Sequence, residues 1–447
     1  MSGGTWTTQS KIRPGVYINF DSETQLGLTV GQRGVVAICE PMSWGAVGEI
    51  MEVNAGVDTT PYCGYPIYSP QALFLNEIFK GTDRTDPPYK VLLYRPTATS
   101  SAKATVTSGS LTATALYPGA RGNDITIIVV EDVDDEGTFT VQTVVDGAIV
   151  DEQTGANVSD LNANAWVEFS GTGALAATAG SPLTNGADGT VAAAAYTTFL
   201  TALEPYDFDI LIYDGTDTTT IDAYQNFVDR LVSNEGKYSQ LVAYNMTNPD
   251  DRFCINVTGG SVLLDDGTTI TPQQTTWWIG GAQAGAQYNE SLTYARYPHA
   301  VDVTPRMTGT AIENAILAGQ LTLVPYDGEV KIEYDINSLV TYTSEISDKY
   351  RKNRVIRLCN TIANDIYKQF SDSFIGVVNN NAEGRDLFKS VIVGYLLTIQ
   401  NNQGIQNFDS ETDIEVLPGD DIDSIVVNLW IQPVDAVEKV YLTITIR

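Results

Sequence analysis

The chain has 447 residues, with 25 Lys and Arg against 55 Asp and Glu and a single His, a formal charge of −30 near neutral pH. A surface this acidic repels phosphate backbones and anionic headgroups across a Debye length, which excludes general nucleic-acid binding and docking on a membrane surface. With 43% hydrophobic residues and a mean hydropathy of −0.07, the composition is that of a folded protein of about three domains at the usual ~100–200 residues each.

No run approaches the ~18–20 apolar residues of a membrane span, and residues 1–10 lack a basic stretch followed by an apolar core. Neither direct membrane insertion nor Sec-type export is expected. Cys39, Cys63, Cys254 and Cys359 are far apart and form no CxxC pair, so they read as reduced, mostly buried thiols of a protein made in the cytoplasm. His299 has no second histidine with which to share a metal, and no metal or cofactor is expected.

In chain order, GVVAICE at 34–40 is a short apolar run ending at Pro41, YSPQALFLNEIF at 68–79 has helical spacing, and KVLLY at 90–94 is a second apolar run. Strand, helix, strand is the grammar of a parallel βαβ unit. The grammar resumes later, with helices over 191–203 and 221–232 and strands over 209–213 and 240–244, so one α/β domain is split in two. The stretch between, 97–190, is rich in Thr, Gly, Ala and Val, and Asp146-Gly147 between alternating apolar positions predicts a hairpin. From 104 to 190 it holds twelve acids against Arg121 alone, which predicts an inserted β domain projecting into solvent. Residues 328–342 read as strands. From 346 to 370, Ile346, Tyr350, Leu358, Ile362, Ile366 and Phe370 trace one face of a helix of about 25 residues, roughly 37 Å, interrupted at Arg354. A second helix over 385–399 and a strand over 425–431 complete a C-terminal α+β domain.

The usual chemical signatures fail. EDVDDEG at 131–137 resembles the start of a calcium loop from Asp132, but the twelfth position, where a bidentate Glu is needed, is Thr143. GGAQAG at 280–285 has the spacing of neither phosphate-binding loop. His299, with Asp302 three residues on, has no nucleophile motif beside it and reads as structural; no catalytic residue is assigned.

Two features stand out. In KYRKNRVIR, the residues Lys349, Arg351, Lys352, Arg354 and Arg357 invert the sign of the chain locally; they form either a solvated helix face or a docking face for an acidic partner. At the ends, Val16, Ile18 and Phe20 alternate with Tyr17 and Asn19, and Val440, Leu442, Ile444 and Ile446 alternate with Tyr441, Thr443 and Thr445. A terminal apolar strand must be covered, and it either closes its own sheet or is donated to a neighbouring copy.

RPGVYINF at 13–20, WWIGGAQAGAQYNESLTYARY from Trp277, EVKIEYDINSLVTYT from Glu329, KYRKNRVIRLCNTIANDIY from Lys349 and the C-terminal β arm together resemble the tail sheath proteins of contractile phages and phage-tail-like bacteriocins. The resemblance implies an α/β and α+β multidomain protein. Its parts would be an N-terminal arm (1–25), a split subtilisin-like α/β core (26–96 and 191–345), an inserted β-sandwich (97–190), a tube-facing α+β domain (346–435) and a C-terminal β arm (436–447). It also implies a non-enzymatic subunit that polymerises as stacked hexameric rings around an inner tail tube, contracts from a metastable extended state, and meets baseplate and tail-terminator proteins. Val16, Tyr17, Ile18 and Phe20 with Val440, Leu442, Ile444 and Ile446 would then be the exchanged strands. The five basic residues of 349–357, or Arg385 and Lys389 on the second helix, would face the tube. The runner-up is an acidic surface-layer or adhesion protein, and an enzyme on the α/β core comes third.

Overall fold

A computed structural model describes residues 2–4, 15–17 and 28–446. The described residues form two compact units, one of 31–364 with 433–446, the other of 365–432 with the described residues before 31.

The larger unit is organised by a nine-stranded sheet. In chain order its strands are β1 (Val35–Cys39), β2 (Ile50–Asn54), β3 (Lys90–Tyr94), β4 (Ile210–Tyr213), β5 (Gln240–Tyr244), β6 (Cys254–Thr258), β7 (Arg296–Tyr297), β8 (Gln320–Tyr326) and β9 (Glu329–Ile332). They lie side by side as β7-β9-β8-β6-β5-β4-β1-β3-β2. The run from β8 to β3 is parallel, and β9 and β2 flank it antiparallel. Parallel strands are covered on both faces and so read as unbroken apolar runs, which is why 34–40, 90–94, 209–213 and 240–244 were visible in sequence.

Alternate residues go to opposite layers. Val36, Ile38, Ile210, Ile212, Val242 and Ile255 join one core with helices α1 (Leu73–Ile78) and α4 (Thr275–Gly285). Val35, Ala37, Leu211, Leu241 and Ala243 join the other, with α2 (Ala193–Leu203) and α3 (Thr218–Arg230). GGAQAG belongs to α4, a helix buried along its whole length. A Cβ at Gly281 would lie 2.1 Å from the Ile78 carbonyl oxygen and one at Gly285 would lie 2.1 Å from that of Asp86. These glycines are spacers for close packing of backbone, not a phosphate cradle.

Between β3 and α2 the chain leaves the core to build two facing antiparallel sheets. One orders Ala148–Gly155, Phe139–Val145, Ile125–Glu131 and Thr178–Pro182; the other orders Val167–Ser170, Leu111–Pro118 and Lys103–Ser108. The expected Asp146-Gly147 turn joins two of these strands with both φ angles positive, 52° and 78°. Trp44, from the α/β body, is 1% exposed inside the sandwich core, against Trp166 and Tyr117. Arg121, the one basic residue of 104–190, is buried rather than solvated. It pairs with Asp146 at 2.5 Å and Asp124 at 3.0 Å and donates to the Gly64 carbonyl oxygen at 3.0 Å.

Helix α5 (Asn353–Ser373) has 21 residues rather than about 25. It begins at Asn353 because 348–351 form a separate 3-10 turn and Lys352 is extended. Its first half belongs to the larger unit, with Ile356 in the second core, so the two compact units divide near 364, within this helix. Of 328–342 only Glu329–Ile332 is strand, because Asp335, Asn337 and Ser338 are buried and hydrogen-bonded to other elements.

In the smaller unit the end of α5 meets α6 (Ala382–Asn401) through Phe370, Phe374 and Phe388, and the Tyr395 hydroxyl donates to Asp365 at 2.7 Å. Strands Ile414–Pro418 and Ile425–Leu429 form a hairpin that is a sheet of its own. At the N-terminus the backbone of Gly15–Tyr17 pairs in parallel with Ser2–Gly4, which accounts for Val16 and Tyr17; Ile18 and Phe20 lie outside the described residues.

Candidate assembly interface

Residues 434–446 belong to no helix or strand. Val440, Leu442, Ile444 and Ile446 are 79, 78, 77 and 93% exposed, and Tyr441 between them is 91% exposed. Both sets of alternating side chains are therefore exposed, and among the described residues no strand pairs with this segment.

The basic cluster is not the polar helix face expected from sequence. Arg357 is fully buried, donating to the Asp335 carboxylate at 2.8 Å, to Gln283 Oε1 at 2.5 Å and to the Glu290 carbonyl oxygen at 2.7 Å. Asp335 also accepts from Gln283 Nε2, Asn353 Nδ2 and the Leu292 amide at 2.8, 2.9 and 3.1 Å. Burial raises the Asp335 carboxyl, but the Arg357 charge and these donors outweigh it and hold the group below its ordinary range. Arg354 is buried, and burial lowers its guanidinium. Lys352 pairs with Asp435 at 3.3 Å and with Glu438. Arg351 is half-buried with Nε and Nη2 shielded, and Lys349 alone of the five is exposed. Arg354 and Arg357 are therefore buried within the fold, and Lys352 is engaged by acids of its own chain. The sequence reading treats Arg354 as an interruption of the apolar face, whereas the residue is itself buried. Arg385 and Lys389, on α6, are half-buried, and Arg385 donates to Asn380 Oδ1 at 3.0 Å.

Elsewhere the chemistry stays bland. The 131–137 stretch is an exposed turn between strands, and Thr143 is buried in the sandwich. His299 sits exposed at a turn with Nδ1 2.9 Å from Asp265, not beside Asp302. Among the described residues no three metal-binding side chains gather.

One carboxyl pair has a measurable consequence. Partial burial and a shared hydrogen bond with Asp251 raise Asp229 to about 7. A carboxyl raised in the folded state binds its proton more tightly there than in the unfolded chain, so its contribution to stability is full below about pH 4 and is lost as pH rises through 7. Asp229→Asn is expected to gain stability relative to the parent between about pH 5 and 8, as read from urea midpoints.

The architecture is an α/β body with helices on both faces of its sheet, a β-sandwich built from an insertion in it, and an exposed apolar segment near the C-terminus. Comparison with known proteins gives the family. Residues 97–188 match the phage tail sheath protein beta-sandwich domain, 189–338 the phage tail sheath protein central domain and 345–447 the phage tail sheath C-terminal domain. The crystal structure of a sheath tail protein from Desulfitobacterium hafniense is 43% identical with a TM-score of 0.86, covering 96% of this chain and 99% of that one. A second, from Listeria innocua, is 32% identical with a TM-score of 0.79, covering 93% and 95%. The phage-like element PBSX protein XkdK of Bacillus subtilis (strain 168) is 34% identical over the whole of both chains. The chain belongs to the phage tail sheath family and is a structural subunit of a contractile tail sheath. That sets aside the surface-layer reading.

Proposed function

We propose that this subunit polymerises as stacked hexameric rings around an inner tail tube and is stitched to its neighbours by its terminal strands. The observation that carries the reading is the uncovered apolar arm at 440–446. Its acceptor in another copy would be the isolated hairpin of 414–418 and 425–429. That hairpin exposes Leu417, Val426 and Val427, with Trp430 beside it, and it has two open edges. A lone hairpin is marginal in water, and an added strand stabilises both partners. Val16 to Phe20 is read as the second exchanged strand. Contraction would keep these links while rigid bodies rotate about the arms, from an extended state held by a kinetic barrier. The split core, parallel and helix-covered, is read as subtilisin-like without protease chemistry. Synthesis is placed in the bacterial cytoplasm, with assembly onto the tail between baseplate and terminator.

With Lys352, Arg354 and Arg357 engaged inside the protein, the tube contact falls to the half-buried Arg385 and Lys389 on α6, with the exposed Lys349 as a further cation. When purified subunits are assembled in the presence of tail tubes, Arg385→Glu with Lys389→Glu should give tube-free sheaths but few sheathed tubes under electron microscopy. Sheathed tubes at the parental yield would overturn the tube contact.

A further inference from the structure

The exposed arm begins abruptly, and the residue before it is among the best-held carboxylates of the protein. The Glu438 side chain is 9% exposed and forms an ion pair with Lys352, itself 15% exposed. Its Oε1 accepts from the Thr293 hydroxyl at 2.6 Å and from the Ser291 hydroxyl at 3.3 Å. Lys352 is fixed in turn by Asp435 at 3.3 Å, by the Tyr334 ring 4.2 Å away and by a backbone bridge between its own residue and Ile336. Thr293 Oγ1 also accepts from the Asp335 amide at 3.0 Å, and Asp335 is the residue that Arg357, Gln283 and Asn353 converge on. One residue further on, Lys439 is exposed, with Nζ 5.9 Å from the Tyr334 ring, and among the described residues from Val440 onward the side chains are exposed.

We infer that Lys352, Ser291 and Thr293 form an anchor for Glu438 that fixes the root of the C-terminal arm to the body of its own subunit, making Lys439 the pivot of the arm. The anchor gives the basic cluster an acidic partner after all, in the same chain. Charge-assisted hydrogen bonds among largely buried groups are stronger than surface pairs, so tension on the arm passes through Glu438 into the Asp335 network and on to α4 and α5. An arm held only at its root leaves in a defined direction yet can swing, as a link between rotating bodies requires. The inference rests on reading 440–446 as an exchanged strand, but the anchor itself is tested in the unassembled subunit.

Glutamyl endopeptidase applied to the native protein should cleave after Glu438 slowly in the parent. Cleavage should be about tenfold or more faster in Lys352→Met, where the carboxylate loses its charged partner, while chymotryptic cleavage at Tyr441 stays unchanged. Lys352→Arg should restore protection. Equal cleavage after Glu438 in the parent and Lys352→Met, with circular dichroism unchanged, would overturn the anchor. In assembly, Lys352→Met should polymerise at a small fraction of the parental yield, and parental yield would overturn the pivot. If a chain lacking 440–447 polymerises normally, the strand-exchange reading falls instead, and the protease rates still decide the anchor.

Discussion

Removal of residues 440–447 is expected to abolish polymerisation and leave a folded monomer. The side chains of 440–446 are exposed, so their loss uncovers no core and opens no cavity. Unfolding free energy should therefore change by no more than ~0.5 kcal/mol, as for surface changes that touch nothing. On the proposed strand exchange, assembly depends instead on a strand that would supply both a ladder of backbone hydrogen bonds and alternate apolar side chains, and a shortened chain supplies neither. Sedimentation should move the truncated protein wholly to the monomer position under conditions in which the full chain pellets.

The second large effect lies inside. Arg357→Met is expected to cost about 3–5 kcal/mol, because it leaves the Asp335 carboxylate buried without its countercharge. Trp277 and Trp278 stand on α4, the helix that carries Gln283, and their fluorescence in urea reads the loss. Asp335→Asn placed on Arg357→Met should recover part of it, since the amide needs no countercharge. Purely additive losses would show that the two residues act independently.

How far the sequence could be read depended on whether a signal was local. The strands at 35–39, 90–94, 210–213 and 240–244 were legible because burial on both faces writes a continuous apolar run. The sandwich was legible as a change of composition and an Asp-Gly turn. Strand Cys254–Thr258 was missed, because Asn256 interrupts its apolar run and no helix precedes it after β5. The basic cluster misled because its partners are distant: Asp335 is 22 residues from Arg357, and Glu438 is 86 from Lys352. The acids Asp435 and Glu438 ahead of the arm were a signal that could have been matched to the cations of 349–357, but only by weighing one end of the C-terminal region against the other. At the C-terminus the alternation of 440–446 left open whether the segment closes its own sheet or is donated, and its side chains are exposed on both faces.

The most direct test of strand donation is a photocrosslink from within the arm. With benzoylphenylalanine at Leu442, sheaths assembled from a mixture of isotopically light and heavy subunits would be irradiated and their crosslinked peptides identified by mass spectrometry. The account predicts light–heavy crosslinks joining residue 442 to the 414–418 and 425–429 hairpin of a different copy. Crosslinks confined to pairs of the same isotope, showing an arm folded back on its own subunit, would contradict it.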